Sequence, residues 1–354
     1  MRRTRTLSFA IPVVLVVVYV LFAPTRVEPV AWRPEDATAL CEENDALSSV
    51  ARVLEELAGP EAILVEGDAI VTGLLDGRIV RLRGVVGGGA PVVEEIAHTG
   101  GRPLGMKRAP SGALVVADAH KGLLSVDDAG AVTVLASGHE GVPFVFADDL
   151  DIAKDGTVYF SDASMRFSVE DWRMEVLEHQ ATGRILAFHP TTGATEVLKD
   201  GLAFANGVAL DDDERSLVFT ETTSYVVSRL WLVGEHKGRV DRLAVLPGFP
   251  DNITWSSTRG VFWVAMGSPR KTIVDALAEW PLLRQAIARL PSPLLPKPTK
   301  MAMAMALDRD GRVRACLTHR SADAYTPIAS VVEHEGTLFF GSFSQQGLAW
   351  MRAP

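Results

Sequence analysis

Beyond residue 61 the chain alternates short runs of apolar, β-type residues with tight polar turns. The runs at 62–65, 69–72 and 78–82 are interrupted by Asp76-Gly77, and those at 150–152 and 157–161 by Asp155-Gly156. The same order returns at 207–210, 216–220 and 229–233, then at 253–255 and 261–265, and last at 304–307, 312–317, 330–333 and 337–341. Strand, turn, strand at this density predicts antiparallel meanders. The units recur at a spacing of roughly forty to sixty residues, the scale of a four-stranded propeller blade. Taking Glu61, Gly105, Asp148, Asn206, Asn252 and Ser330 as the starts of successive units predicts an all-β, six-bladed propeller. A β-sandwich would not account for the period. Two stretches leave the pattern: 168–180 and 273–290 carry apolar residues at helical spacing, the latter closed by Pro291, Pro293, Pro296 and Pro298. Helical insertions of this kind would cap one face of the ring.

The N-terminal region reads differently. Arg2, Arg3 and Arg5 precede an apolar run over 7–23, broken by Ser8 and Pro12. A basic start before an apolar run of this length predicts a signal anchor, with the arginines cytoplasmic and the bulk of the chain on the extracytoplasmic side; a cleaved signal peptide is the alternative. A proline-bearing linker follows over 27–34. Leu40, Leu47, Val50, Val53, Leu54 and Leu57 then predict a short amphipathic helix within 36–57, stopped by Gly59-Pro60. The organisation expected is an anchor over 1–26, a linker and helix over 27–58, and the propeller over 59–354.

Composition narrows the function. The 354 residues are 47% hydrophobic, enough for a large core, and the net charge of −9 leaves no basic stripe for nucleic acid. Cys41 and Cys316 lack the spacing of a zinc site; in an oxidising compartment they could form one disulfide, and sequence alone leaves that open.

The candidate chemistry gathers at the predicted strand starts. In Leu246-Pro247-Gly248-Phe249-Pro250-Asp251-Asn252-Ile253 a stiff turn delivers Asp251 and Asn252 to the beginning of a strand. Glu61, Asp148 and Asn206 hold matching places in other units. One such residue can be explained as a turn former. Several carboxylate and amide oxygens converging on a propeller axis require a cation, and hard oxygen donors suit Ca²⁺. No Gly-x-Ser-x-Gly elbow and no phosphate-cradling loop is present.

The chain resembles the strictosidine synthase-like and paraoxonase-type six-bladed propellers, relatives of the gluconolactonase superfamily. The resemblance is carried by Gly59-Pro60-Glu61, Gly101-Arg102-Pro103-Leu104-Gly105, the stretches 116–123 and 158–164, Phe204-Ala205-Asn206-Gly207, 246–253, and Glu333-His334-Glu335-Gly336. It implies a calcium ion at the channel mouth and hydrolysis of esters or lactones. Glu61, Asp148, Asn206, Asp251 and Asn252 fall on the metal-ligand positions, Asp148 standing where those relatives usually carry Asn and adding a charge. His120 falls in the region of the catalytic histidine and would act as general base. Ala329 stands where strictosidine synthase uses its glutamate, so that condensation is not expected. The expectation is therefore a membrane-anchored, Ca²⁺-dependent arylesterase or lactonase acting on a small-molecule substrate. The alternative is a non-catalytic binding propeller with a structural ion.

Overall fold

A computed structural model describes Tyr19 and residues 23–86 and 89–354. The described strands form six four-stranded antiparallel sheets, one for each predicted unit, together with a two-stranded ribbon. In chain order the innermost strands are Leu64–Glu66, Pro103–Arg108, Ala147–Ile152, Ala205–Leu210, Gly248–Ser256 and Ser330–His334. From the second blade to the sixth, each packs against the innermost strand of the next. The six units expected from the period are the six blades observed.

Most of the core lies between blades. Six clusters of buried side chains each join one adjacent pair of blades. Because a strand sends alternate side chains to opposite faces, one strand serves two clusters. The strand Ala302–Leu307, with sequence AMAMAL, shows how: its alanines pack with Trp263 and Phe340 toward the sixth blade. Its methionines and Leu307 pack with Phe262, Ala209 and Ala244 toward the fourth. Middle strands buried on both faces explain why these runs are apolar throughout.

The ring closes where the sequence predicted a helix. Within 36–57 only Ala46–Ser49 is helical, as a single 3₁₀ turn, and Ala51–Ala58 is a strand paired with Gln346–Arg352 as the outer edge of the sixth blade. The register shifts between Val53 and Ala58 and Leu54 takes φ of 58°, so a bulge breaks the two-residue alternation. The remaining apolar spacing imitates a helix.

The helical insertions are present: α1 (Trp172–Glu178) leaves the third blade, and α2 (Thr272–Ala276) and α3 (Pro281–Ala288) leave the fifth. The predicted linker is a strap bound to them. Val30 N–H donates to Glu178 O (3.1 Å), Trp32 N–H to Ala278 O (3.2 Å), and Thr38 and Ala39 N–H to Val245 O. Val27 is buried with Phe167, Leu177 and Leu295. Cys41 and Cys316 form a disulfide that ties the strap to the fifth blade. The predicted anchor over 1–26 lies largely outside the described residues; among those described, no helix is long and apolar enough to cross a membrane.

Candidate functional site

An innermost propeller strand is an edge strand, so the N–H groups on its channel side need partners from outside its own sheet. Neighbouring carboxylates meet part of that need. Asp149 Oδ2 accepts from Val208 N–H (3.1 Å) and Asp151 Oδ2 from Leu210 N–H (2.9 Å), linking the third and fourth blades. A second device sets the mouth. At the end of each of three second strands a carboxylate accepts N–H bonds from the approach to the first: Asp118 from Arg102, Asp162 from Phe146, and Glu221 from Ala203. Glycine lets the blades close tightly there. A Cβ on Gly207 would lie 2.4 Å from Ile253 N, and one on Gly105 2.6 Å from Asp149 Cα.

These constraints bring the five predicted ligands to one end of the channel. Glu61, Asp148, Asn206, Asp251 and Asn252 are all at most 8% exposed. Burial raises the Asp148 carboxyl well above the ordinary range, and the charges of Glu61, Asp251 and Asp149 push the same way. Asp251 is raised well above its ordinary value by burial and then by Glu61, against a hydrogen bond from Asn206. Glu61 is raised by burial against the pull of Arg102. The three acids therefore feel one another. Asn252 Nδ2 donates to Ser330 Oγ (3.0 Å), while the amide oxygens of Asn206 and Asn252 are buried with no partner.

Two residues at the site were not among the ligands expected from the sequence. Arg102 is 3% exposed; its Nη2 lies 2.9 Å from Glu61 Oε2 and its Nη1 donates to Gly59 O (3.1 Å). It lies within Gly101-Arg102-Pro103, a motif visible in the sequence, but nothing there marks it as an internal counter-charge. Asp149 is pushed up to about 7, chiefly by burial, although Val208 and Leu150 N–H groups and nearby Lys107 oppose the shift. A cavity of about 30 Å³ lies alongside, lined by Ala62, Lys107, Asp149, Asn252, Thr254 and Ser330 among others. That is room for about one or two waters.

The donor chemistry fits a hard divalent cation. Two orphaned amide oxygens, with Asp148 and Asp251 both raised by burial and by the charge of Glu61, are what such an ion would satisfy. Arg102 already supplies one positive charge, and among the described residues no three His, Cys, Asp or Glu side chains are grouped as a ready-made metal cage. An ion would draw on the amide oxygens as much as on the acids.

His120 sits apart from this group, on the turn between the second and third strands of the second blade. Its Nε2 is 2.6 Å from Glu170 Oε1, just before α1, and its side chain is 41% exposed. Leu104, Phe146 and Phe204 form a buried apolar cluster over the same face, with Trp172 packed against it. Glu333 lies at the other end of its strand, where its carboxylate takes bonds from Ser256, Arg259 and Trp263 and knits the fifth blade to the sixth. Ala329 is fully buried at the mouth, with Asn252 N–H donating to its carbonyl (3.0 Å).

Fold and mouth together define a six-bladed propeller with buried acid and amide side chains at one end of its channel. The family model described as strictosidine synthase matches residues 148–235, and that for the strictosidine synthase-like N-terminal region matches 42–82. An adipocyte plasma membrane-associated protein of Danio rerio is 36% identical over 359 residues, covering 95% of this chain and 86% of that one. The chain belongs to this family of strictosidine synthase-like, adipocyte plasma membrane-associated proteins. Among solved structures, a gluconolactonase from Xanthomonas campestris superposes with a TM-score of 0.61 at 16% identity, covering 92% of this chain and all of that one. Regucalcin from Agrobacterium tumefaciens, described as a calcium-binding protein, gives 0.56 at 14% identity, covering 84% and 92%. At these identities both are likenesses of fold.

Proposed function

We propose that this protein is a membrane-anchored, Ca²⁺-dependent hydrolase of esters or lactones facing the extracytoplasmic side. The observation that carries the reading is the buried group of Glu61, Asp148, Asn206, Asp251 and Asn252 with its two unpartnered amide oxygens. These five residues would hold the ion, which supplies polarisation of a substrate carbonyl when bound. Arg102 orients Glu61 and opposes the upward push of burial on its carboxyl. The apolar cluster of Leu104, Phe146 and Phe204 excludes water and receives the non-polar part of a substrate. His120, with Glu170 accepting at one ring nitrogen, takes a proton from water as general base at the rim. The likeness in fold to a gluconolactonase and to a calcium-binding regucalcin supports the same class.

One observation favours a second reading. The five residues are buried, as they would be in a binding propeller whose ion, or Arg102 in its place, only stiffens the channel. The deciding experiment is hydrolysis of phenyl acetate and simple lactones by the purified protein, with and without chelator, alongside metal analysis. The hydrolase should contain calcium, lose activity with EDTA, and lose at least about a hundredfold in Asp251→Ala, the scale of removing an electrostatic stabiliser. Bound calcium with no turnover of any ester would leave the binding propeller.

A further inference from the structure

We propose that the outer surface of the helical cap docks on a lipid bilayer, so that the capped mouth of the propeller faces the membrane. α3 packs Ile287 and Ala288 against the buried cluster around Val27 and Phe167, but its first turn is reversed. Its Arg284 is 3% exposed and its guanidinium donates to the carbonyls of Leu177, Ala278 and Val30, whereas the neighbouring Leu282 and Leu283 are 80% and 50% exposed. In a helix turn packed on a water-soluble core the leucines face inward and the arginine outward. Ile273, Trp280 and Leu294, from the same insertion, are each at least 60% exposed. Other large exposed apolar residues, such as Leu75, Val134 and Val233, are scattered over separate blades. Five large apolar residues exposed on one insertion mark an interaction surface, and a tryptophan among leucines is the composition that the bilayer interface accepts.

The path of the chain indicates which partner. Ala23 is fixed to the C-terminal end of α3, where Arg289 Nε donates to its carbonyl (2.5 Å), and the strap continues beneath the cap through buried Val27. The residues before it, 7–22, are apolar apart from Ser8 and Pro12 and follow three arginines. The segment suited to enter lipid thus joins the molecule at the far end of the helix whose first turn carries the exposed leucines. A bilayer holding that segment meets the cap face at once. The proposal rests on the membrane anchoring proposed above and not on whether the propeller hydrolyses anything.

Tryptophan quenching tests it, because Trp280 is the one exposed tryptophan among the described residues. The full chain is reconstituted into phosphatidylcholine vesicles with and without bromine on the upper acyl chain. Brominated lipid should quench part of the emission, and Trp280→Phe should remove most of that component. Leu282→Asp combined with Leu283→Asp, with Trp280 retained, should reduce it severalfold while the unfolding midpoint hardly moves; should that variant fail to fold, the Trp280→Phe comparison decides by itself. Equal emission in both lipids, or full quenching retained in Trp280→Phe, overturns the proposal. So would vesicle-embedded dimers that the double variant separates, since the face would then bind a second copy of the chain.

Discussion

At the scale of single residues the site is governed by buried charge. Glu61 and Arg102 form an ion pair with both side chains at most 5% exposed. Removing one partner of such a pair leaves an uncompensated buried charge and typically costs about 3–5 kcal/mol. Arg102→Met should lower the stability of the metal-free protein by that order, and millimolar Ca²⁺ should restore a good part of it. Thermal unfolding with and without the ion checks this; a loss that Ca²⁺ leaves unchanged would mean that Arg102 serves packing alone. A second buried acid gives a pH dependence. Glu175 on α1 accepts from Ser164 Oγ (2.6 Å), its other oxygen has no partner, and burial raises it to about 7, aided by Glu178 and opposed by Ser164 and Arg166. A carboxyl raised by folding contributes its stability below the unfolded value and loses it as pH climbs through the folded one. Glu175→Gln should therefore match the wild type near pH 4.5 and exceed its stability by pH 8, by on the order of 3 kcal/mol at 1.36 kcal/mol per unit. Denaturant midpoints across pH 4.5–8 measure the difference, and parallel curves would refute the assignment. The oxygen donors were legible in sequence because turn chemistry places Asp and Asn at strand starts. Arg102 was not, because an arginine that pairs with an acid 41 positions away has no local signature.

At the scale of elements, legibility followed burial. Strands buried on both faces announce themselves as apolar runs, and those fixed the six blades. The edge strand Ala51–Ala58 did not, since its outward residues are exposed and its bulge scrambles the alternation. A pairing of residue 51 with residue 350 is invisible to any local window. The disulfide belongs to the same long-range class. Beside it, Asn44 is stitched to the outer strand of the fifth blade: its N–H donates to Thr318 Oγ1 (2.6 Å), its Nδ2 to Cys316 O (3.0 Å), and its Oδ1 accepts from Thr318 N–H (3.2 Å). The bridge and these bonds hold the segment between strap and closing strand. Replacing both cysteines by serine should cost about 2–5 kcal/mol, the usual loss for a native disulfide. Urea unfolding of the double variant, compared with reduced wild type, measures it. A reduced wild type as stable as the oxidised protein would show that the hydrogen bonds alone suffice.

At the scale of the whole molecule the question is how anything reaches a channel mouth that the chain itself covers. The strap crosses between α1 and the α2–α3 insertion, and Trp32 stacks on His179 with ring centroids 3.8 Å apart. The cap is joined by one small apolar cluster around Val27, Phe167, Leu177 and Leu295 and by polar bonds, among which Arg284 donates to strap, α1 and the α2–α3 connection. A region held in this way opens at a lower free energy than the blades beneath it. Hydrogen bonds from a charged group contribute about 1.5–3 kcal/mol each, so losing several should lower the local opening energy by roughly 2–4 kcal/mol even after water replaces some. Arg284→Ala should then speed hydrogen exchange at the Val30 and Trp32 amides by roughly 30- to 1000-fold, at about 1.4 kcal/mol per factor of ten, while amides of the middle strands keep their protection. If exchange quickens across the blades as well, cap and ring unfold as one unit, and ligand entry would have to come through the opposite end of the channel. If it quickens in the strap alone, the strap is the gate, and both calcium uptake and any ester turnover should rise in that variant together.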